Sequence, residues 1–129
     1  MAEGARKRVV LVGHCGPDGY ALRSAVARFA PEAEVVFVRD EAELAQELGK
    51  ADLLLINREL DGDFSEPSGI VLVEELHSEN PQRPRLMLVS NFAEAQREAE
   101  AVGALPGFGK REMNAEATRG KLRGALGLT

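Results

Sequence analysis

The chain has 129 residues, which suits one domain with a real core and is too short for two ordinary ones. Hydrophobic residues make up 44% and charged residues 29%, the balance of a folded protein and not of a disordered one, and a net charge of −5 argues against wholesale nucleic-acid binding. The single cysteine, Cys15, excludes an intrachain disulfide and any Cys-rich zinc site, and no apolar run approaches the roughly 20 residues that span a bilayer.

The polar stretch Met1–Arg8 leads straight into a strand, so no signal peptide is expected and the default location is the cytoplasm. Val9-Val10-Leu11-Val12 is apolar without alternation, as in a strand covered on both faces. Gly13–Gly19 reads as a loop, with Asp18 placed to cap the next helix. In that helix Leu22, Ala25, Val26 and Phe29 form one stripe, and Pro31 ends it. A second strand is expected at Glu34–Val38. Asp40 and Glu43 then resemble a capping box before the stripe of Leu44, Ala45 and Leu48, with Gly49 as the stop. Leu53–Ile56 is the most hydrophobic strand and reads as the central one, followed by a long polar loop at Leu60–Gly69. Ile70, Val73 and Leu76 mark a third helix closed by Asn80-Pro81, and Leu86–Val89 a fourth strand. Asn91 followed by Glu94 starts a fourth helix, expected over Phe92–Val102. Gly103–Gly109 is a poor strand broken by Pro106, which suits a sheet edge. A last helix runs from about Ala115 to Leu126, weakened by Gly120 and Gly124.

Five strands alternating with five helices predict an α/β fold: a doubly wound, five-stranded parallel sheet with helices on both faces, in the flavodoxin-like order 2-1-3-4-5. Such folds build their sites at the carboxyl ends of the strands. That directs attention to Gly13-His14-Cys15, Asn57-Arg58-Glu59, Ser90-Asn91 and Lys110-Arg111.

The pattern resembles a CheY-like response-regulator receiver domain over almost the whole chain. The resemblance is carried by the hydrophobic first strand, Leu53–Asn57 as the third strand and its end, Leu86–Asn91 as the fourth strand with its hydroxyl residue, and Gly103-Ala104 followed by Lys110. It implies phosphoryl transfer to an aspartate ending the third strand. An acidic pair after the first strand would hold Mg²⁺, a Ser/Thr and a Lys would contact the phosphoryl group, and an aromatic would read the change. This sequence keeps Ser90 and Lys110 but has Asn57 at the acceptor position and Gly13 and His14 at the acidic pair. Gly107 stands three residues before Lys110, where the aromatic is expected, with Phe108 one place off, and Arg111 stands where a Pro usually follows the Lys. A carboxamide is no anionic nucleophile, and Mg²⁺ requires hard anionic oxygens that a glycine and an imidazole do not supply. The pocket is therefore expected to hold Lys110 and a partly charged His14 with no matched carboxylate, Lys110 bonding Asn57 or a carbonyl. Ser90 and Asn91 also read plainly as a strand-end hydroxyl and a helix cap.

Two other chemistries share these positions. Cys15 between a strand and a helix suggests a Cys-based phosphatase, but low-molecular-weight phosphatases carry an Arg six residues later, where this chain has Ala21, the nearest being Arg23. A cobalamin-binding domain ligates cobalt through a His after the first strand, the place of His14, but its flanking Asp and Gly are Val12 and Pro17 here. A calcium-loop reading of Asp61-Gly62-Asp63 fails at Glu66 and Leu72.

The resulting expectation is a single receiver-like domain spanning 1–129, with its ordered core at about 8–127. It would be a non-phosphorylatable pseudo-receiver, not an enzyme, without cofactor or metal. Its partners would be a protein or a fused output or kinase domain, or a second copy through the face of the fourth helix, fifth strand and fifth helix, where Arg119, Lys121 and Arg123 add charge. Direct nucleic-acid and membrane contacts are not expected.

Overall fold

The computed structural model describes residues 6–81 and 83–129, so the polar leader read at Met1–Arg8 lies mostly outside the described residues. In chain order the elements are β1 (Lys7–Val12), α1 (Gly16–Phe29), β2 (Ala33–Val38), α2 (Glu41–Leu48), β3 (Leu53–Asn57), α3 (Gly69–Glu79), β4 (Arg85–Val89), α4 (Ala93–Ala101), β5 (Leu105–Phe108) and α5 (Glu116–Ala125). A 3₁₀ turn, Lys110–Glu112, precedes α5. All strand pairs are parallel and the order is β2-β1-β3-β4-β5, as the alternation of periods predicts.

The uninterrupted apolar strands are explained by two core layers. Val9, Leu11, Leu53, Leu55 and Met87 face α1 and α5 and meet Leu22, Val26, Phe29 and Leu122. The alternate residues Val10, Val12, Leu54, Ile56 and Leu88 face the other helices and meet Leu44, Val73, Leu76 and Ala99. Successive strand side chains point to opposite faces, so a strand buried on both must be apolar at every position.

Several local expectations change. Helix α1 starts at Gly16 with Cys15 as its N-cap, because Pro17 already has a helical φ in the first turn; Asp18 lies inside that turn and does not cap it. Asp40 caps α2 by accepting from the Glu43 amide at 2.8 Å, but Glu43 returns its carboxylate to the amide of Arg39, one residue further back than a capping box requires. Helix α4 is capped by Phe92 without a side-chain bond. Asn91 instead accepts from the Arg111 amide at 3.0 Å, joining the start of α4 to the loop after β5.

The long loop after β3 is held at both ends and across its middle. Leu60 N–H donates to Pro67 O and Asp61 N–H to Gly13 O, each at 2.8 Å. Asp63 N–H donates to Arg39 O at 2.8 Å, and Ser65 N–H to the Glu41 carboxylate at 3.0 Å. Leu60 and Phe64 pack against the second core layer. The loop thus crosses the carboxyl end of the sheet from β3 to β2 and α2.

Candidate functional site

Register decides which residues meet. Val12 lies opposite Ile56 and Asn57 opposite Val89, so the chain leaves β1, β3 and β4 at one level, and the carboxyl end of each strand opens on a common cleft. The cleft has a volume of about 300 Å³ and is lined by Asn57, Ser90 and Lys110 together with Cys15, Asp18 and Asp61. Three of the five residues singled out from the sequence are therefore brought together. Gly13 and His14 lie behind the cleft and do not line it.

Asn57 is tied down through its nitrogen. Nδ2 donates to Gly13 O at 3.0 Å and to Glu59 O at 2.8 Å. Both acceptors are carbonyl oxygens, which fixes the orientation of the carboxamide and requires a donor at this position. The Gly13 carbonyl is thereby engaged twice, by Asn57 and by the Asp61 amide.

Gly13 has φ +73°, a conformation that L side chains rarely adopt. A Cβ placed there would lie 2.7 Å from Leu60 Cδ2 and 3.0 Å from Leu60 Cα. The space a side chain at position 13 would need is filled by the loop after β3.

His14 is buried at 4% exposure. Its Nε2 lies 2.9 Å from Leu55 O, which can only accept, so Nε2 carries the proton, and Nδ1 has no hydrogen-bond partner among the described residues. Burial pushes its pKa below the usual imidazole range, the Leu55 carbonyl opposing and Lys110 reinforcing. The expectation of a partly charged His14 gives way to a neutral one, because its ring sits in the core. A cobalt-ligating role also loses its basis, since the ring is directed to Leu55.

Lys110 does not bond Asn57. Its Nζ donates to Asp18 Oδ2 at 2.7 Å, with both side chains about a third exposed (34% and 38%). The Lys110 hydrogen bond holds the Asp18 carboxyl below the usual carboxylate range, and burial opposes it. Asp18 was legible only as a cap, because the two residues are 92 positions apart. Cys15 and Asp18 line the same cleft, and Arg23 lies exposed, two turns along α1. The guanidinium that shares the cleft with Cys15 is that of Arg58, which comes from the end of β3 and is engaged by Glu59 and the Phe92 ring, not from the loop that follows Cys15 as in a phosphatase. Ser90 Oγ accepts from the Phe92 amide at 3.2 Å, the local strand-end role.

The position expected for an aromatic is closed by geometry. A Cβ on Gly107 would lie 2.1 Å from Leu88 O. Gln96 of α4 occupies the irregular register here, donating to Leu88 O at 2.9 Å, Ser90 O at 3.1 Å and Phe108 O at 3.3 Å, and accepting from Gly107 N–H at 3.2 Å. Phe108 itself is 1% exposed in the first core layer. Sequence reading offers no signal for Gln96, a polar residue in a helix of charged ones.

The architecture matches known structures. The RcsB response regulator of Salmonella typhimurium superposes with a TM-score of 0.74 at 14% identity, over 97% of this chain and 62% of that one. A response regulator from Thermotoga maritima gives 0.74 at 14% identity over 95% and 98%. The phosphorylated cyanobacterial phytochrome response regulator RcpA gives 0.64 at 20% identity over 93% and 91%. The chain has the receiver fold. It spans less than two thirds of the RcsB chain. No family model matches it, and no curated protein is similar in sequence.

The receiver fold makes Mg²⁺ the ion to test. Gly13 offers no side chain, His14 a buried ring and Asn57 a neutral carboxamide, so the residues at the expected ligand positions supply no anionic oxygen and do not fit a hard cation. Among the described residues no group of three or more His, Cys, Asp or Glu is placed to hold a metal, and no helix is long and apolar enough to cross a membrane.

Proposed function

We infer that this chain is a non-phosphorylatable receiver-like module of a two-component-type regulatory system, acting through protein–protein contacts and not by catalysis. The observation that carries this reading is the pair of bonds from Asn57 Nδ2 to Gly13 O and Glu59 O. The position where a receiver would carry its acceptor carboxylate is built around a hydrogen-bond donor. Leu60 packed over Gly13 supports the same reading, since a first metal-binding carboxylate has no room there. The Asp18–Lys110 ion pair supports a single fixed state, because the lysine that would meet a phosphoryl group already has an anionic partner.

The module comprises one domain over 1–129 with its core at about 8–127, and it works in the cytoplasm. Its partner is another protein, a fused kinase or output domain, or a second copy across the α4–β5–α5 face. On that face Lys121 is held by Gly107 O at 2.8 Å, while Arg123 turns to the α1 side and grips Glu32 at 2.9 Å.

Incubation with acetyl phosphate or phosphoramidate and Mg²⁺, followed by intact-mass spectrometry, tests the reading. The expected spectrum has no +80 Da species. A stable +80 Da adduct that disappears in Asp18→Asn or Asp61→Asn would overturn it.

A further inference from the structure

Helix α4 presents two unlike sides. Arg97 and Glu100 lie with Gln96 toward β5, whereas Glu94 and Glu98 lie on the α3 side, over a separate groove of about 430 Å³. The groove has an apolar part made by Ile70, Phe92 and Ala95, with Phe92 60% exposed. A large aromatic at this exposure is a ready anchor for a partner. Arg58 stacks over the Phe92 ring at 5.0 Å and is ion-paired with Glu59 at 3.2 Å, so its charge is already engaged. Glu94 and Glu98 are not. They stand one helical turn apart, a like-charge arrangement that weakens a helix, and among the described residues neither has a cation within ion-pair distance. Apolar surface flanked by two unneutralised carboxylates complements one chemistry: an amphipathic peptide with aliphatic side chains on one face and Lys or Arg beside them.

We propose that the α3–α4 groove is the docking site of this module for a basic amphipathic segment of a partner protein. The aliphatic side chains pack on Phe92 and Ile70, and the cations neutralise Glu94 and Glu98. The proposal rests on the reading of the chain as an interaction module, and it places the contact away from the α4–β5–α5 face.

The probe is a capped 14-residue peptide of leucine and lysine at helical spacing, titrated into the ¹⁵N-labelled protein beside its leucine/glutamate counterpart. The expected result is saturable shifts confined to Arg58, Ile70 and residues 92–98 for the cationic peptide and none for the anionic one. Affinity should fall at least fivefold in Glu94→Gln/Glu98→Gln and in Phe92→Ser, with exposed side chains changed in both cases. Absence of binding, shifts spread over other acidic surfaces, equal binding of the anionic peptide, or unchanged affinity in the double glutamine variant would each overturn the proposal. The mass-spectrometric assay separates the two readings: a phosphoryl adduct with intact peptide binding sinks the non-phosphorylatable assignment alone, and lost peptide binding without an adduct sinks the groove alone.

Discussion

Asn57 differs from aspartate by one nitrogen, and that nitrogen makes both of the side chain's hydrogen bonds to the backbone. Aspartate at this position would turn a carboxylate oxygen toward the Gly13 and Glu59 carbonyls, giving two acceptor–acceptor contacts where two bonds existed. The bond to Gly13 O is half-buried, and loss of such a bond with an unsatisfied partner costs about 1–3 kcal/mol, while the exposed bond to Glu59 O adds less. Asn57→Asp is therefore expected to destabilise the fold by roughly 2 kcal/mol at neutral pH, and to acquire no phosphoryl group. The deficit should narrow as pH falls through the range of the new carboxyl, because the protonated acid donates one bond again. Urea unfolding of both proteins at pH 7 and near pH 4 reads this directly. A variant as stable as the parent at pH 7, or a gap that does not close in acid, would show that Asn57 does not act as a donor. The sequence made the absence of a carboxylate legible; the positive role of the amide needed the geometry.

At the level of elements, the junction of α4, β4 and β5 rests on one glutamine. Strand β5 has one residue more than β4 between the pairs Met87–Leu105 and Val89–Phe108, and its bulged segment contains Pro106, which has no N–H. The Gln96 carboxamide bridges this irregular segment, its two N–H groups shared among Leu88 O, Ser90 O and Phe108 O and its oxygen accepting from Gly107 N–H. Gln96→Ala leaves the Gly107 amide and the Leu88 carbonyl without this partner and should cost about 2 kcal/mol. Gln96→Glu should be worse than alanine despite its closer shape, because a carboxylate cannot donate to three carbonyls and repels them. Denaturant midpoints of the two variants, with hydrogen exchange at the Gly107 amide, provide the measurement. If glutamate is tolerated better than alanine, the bridge is not what holds the junction. The order of the elements was legible because both periods are clean: fully apolar strands, and stripes such as Leu22, Ala25, Val26 and Phe29. The junction was not legible, since a bulge set by Pro106 and Gly107 and filled from a neighbouring helix leaves no periodic trace.

At the scale of the whole molecule, the legible and the hidden divide by distance along the chain. Patterning places Gly13, Asn57, Ser90 and Lys110 at strand ends, which is where the parallel sheet puts them. It does not pair Lys110 with Asp18, Arg8 with Glu47 or Arg123 with Glu32, since these meet only when elements far apart in sequence fold together. These pairs and the buried His14 make stability depend on pH in two stages. The Arg123 bond pulls Glu32 down to about 2, and bonds from Lys110 and Arg8 lower Asp18 and Glu47. Each carboxyl then binds protons more readily in the unfolded chain. Its contribution is present above the ordinary carboxylate range and is lost as pH falls toward 2. His14 is also depressed, but its unfolded imidazole titrates near 6.5, so the unfolded chain takes up a proton first and the loss begins at that higher pH. Stability is thus expected to be level above pH 7. It should then decline below 6.5 with a slope of at most about 1.4 kcal/mol per pH unit for one proton, and decline again below about 4.5. His14→Asn removes the first decline and keeps the second, whatever it does to the absolute value. The profile of urea midpoints from pH 8 to pH 3, taken for both proteins, decides it. A flat parental curve between pH 7 and 5, or a first decline surviving in His14→Asn, would mean that the neutral ring bonded to Leu55 O is not what the fold selects.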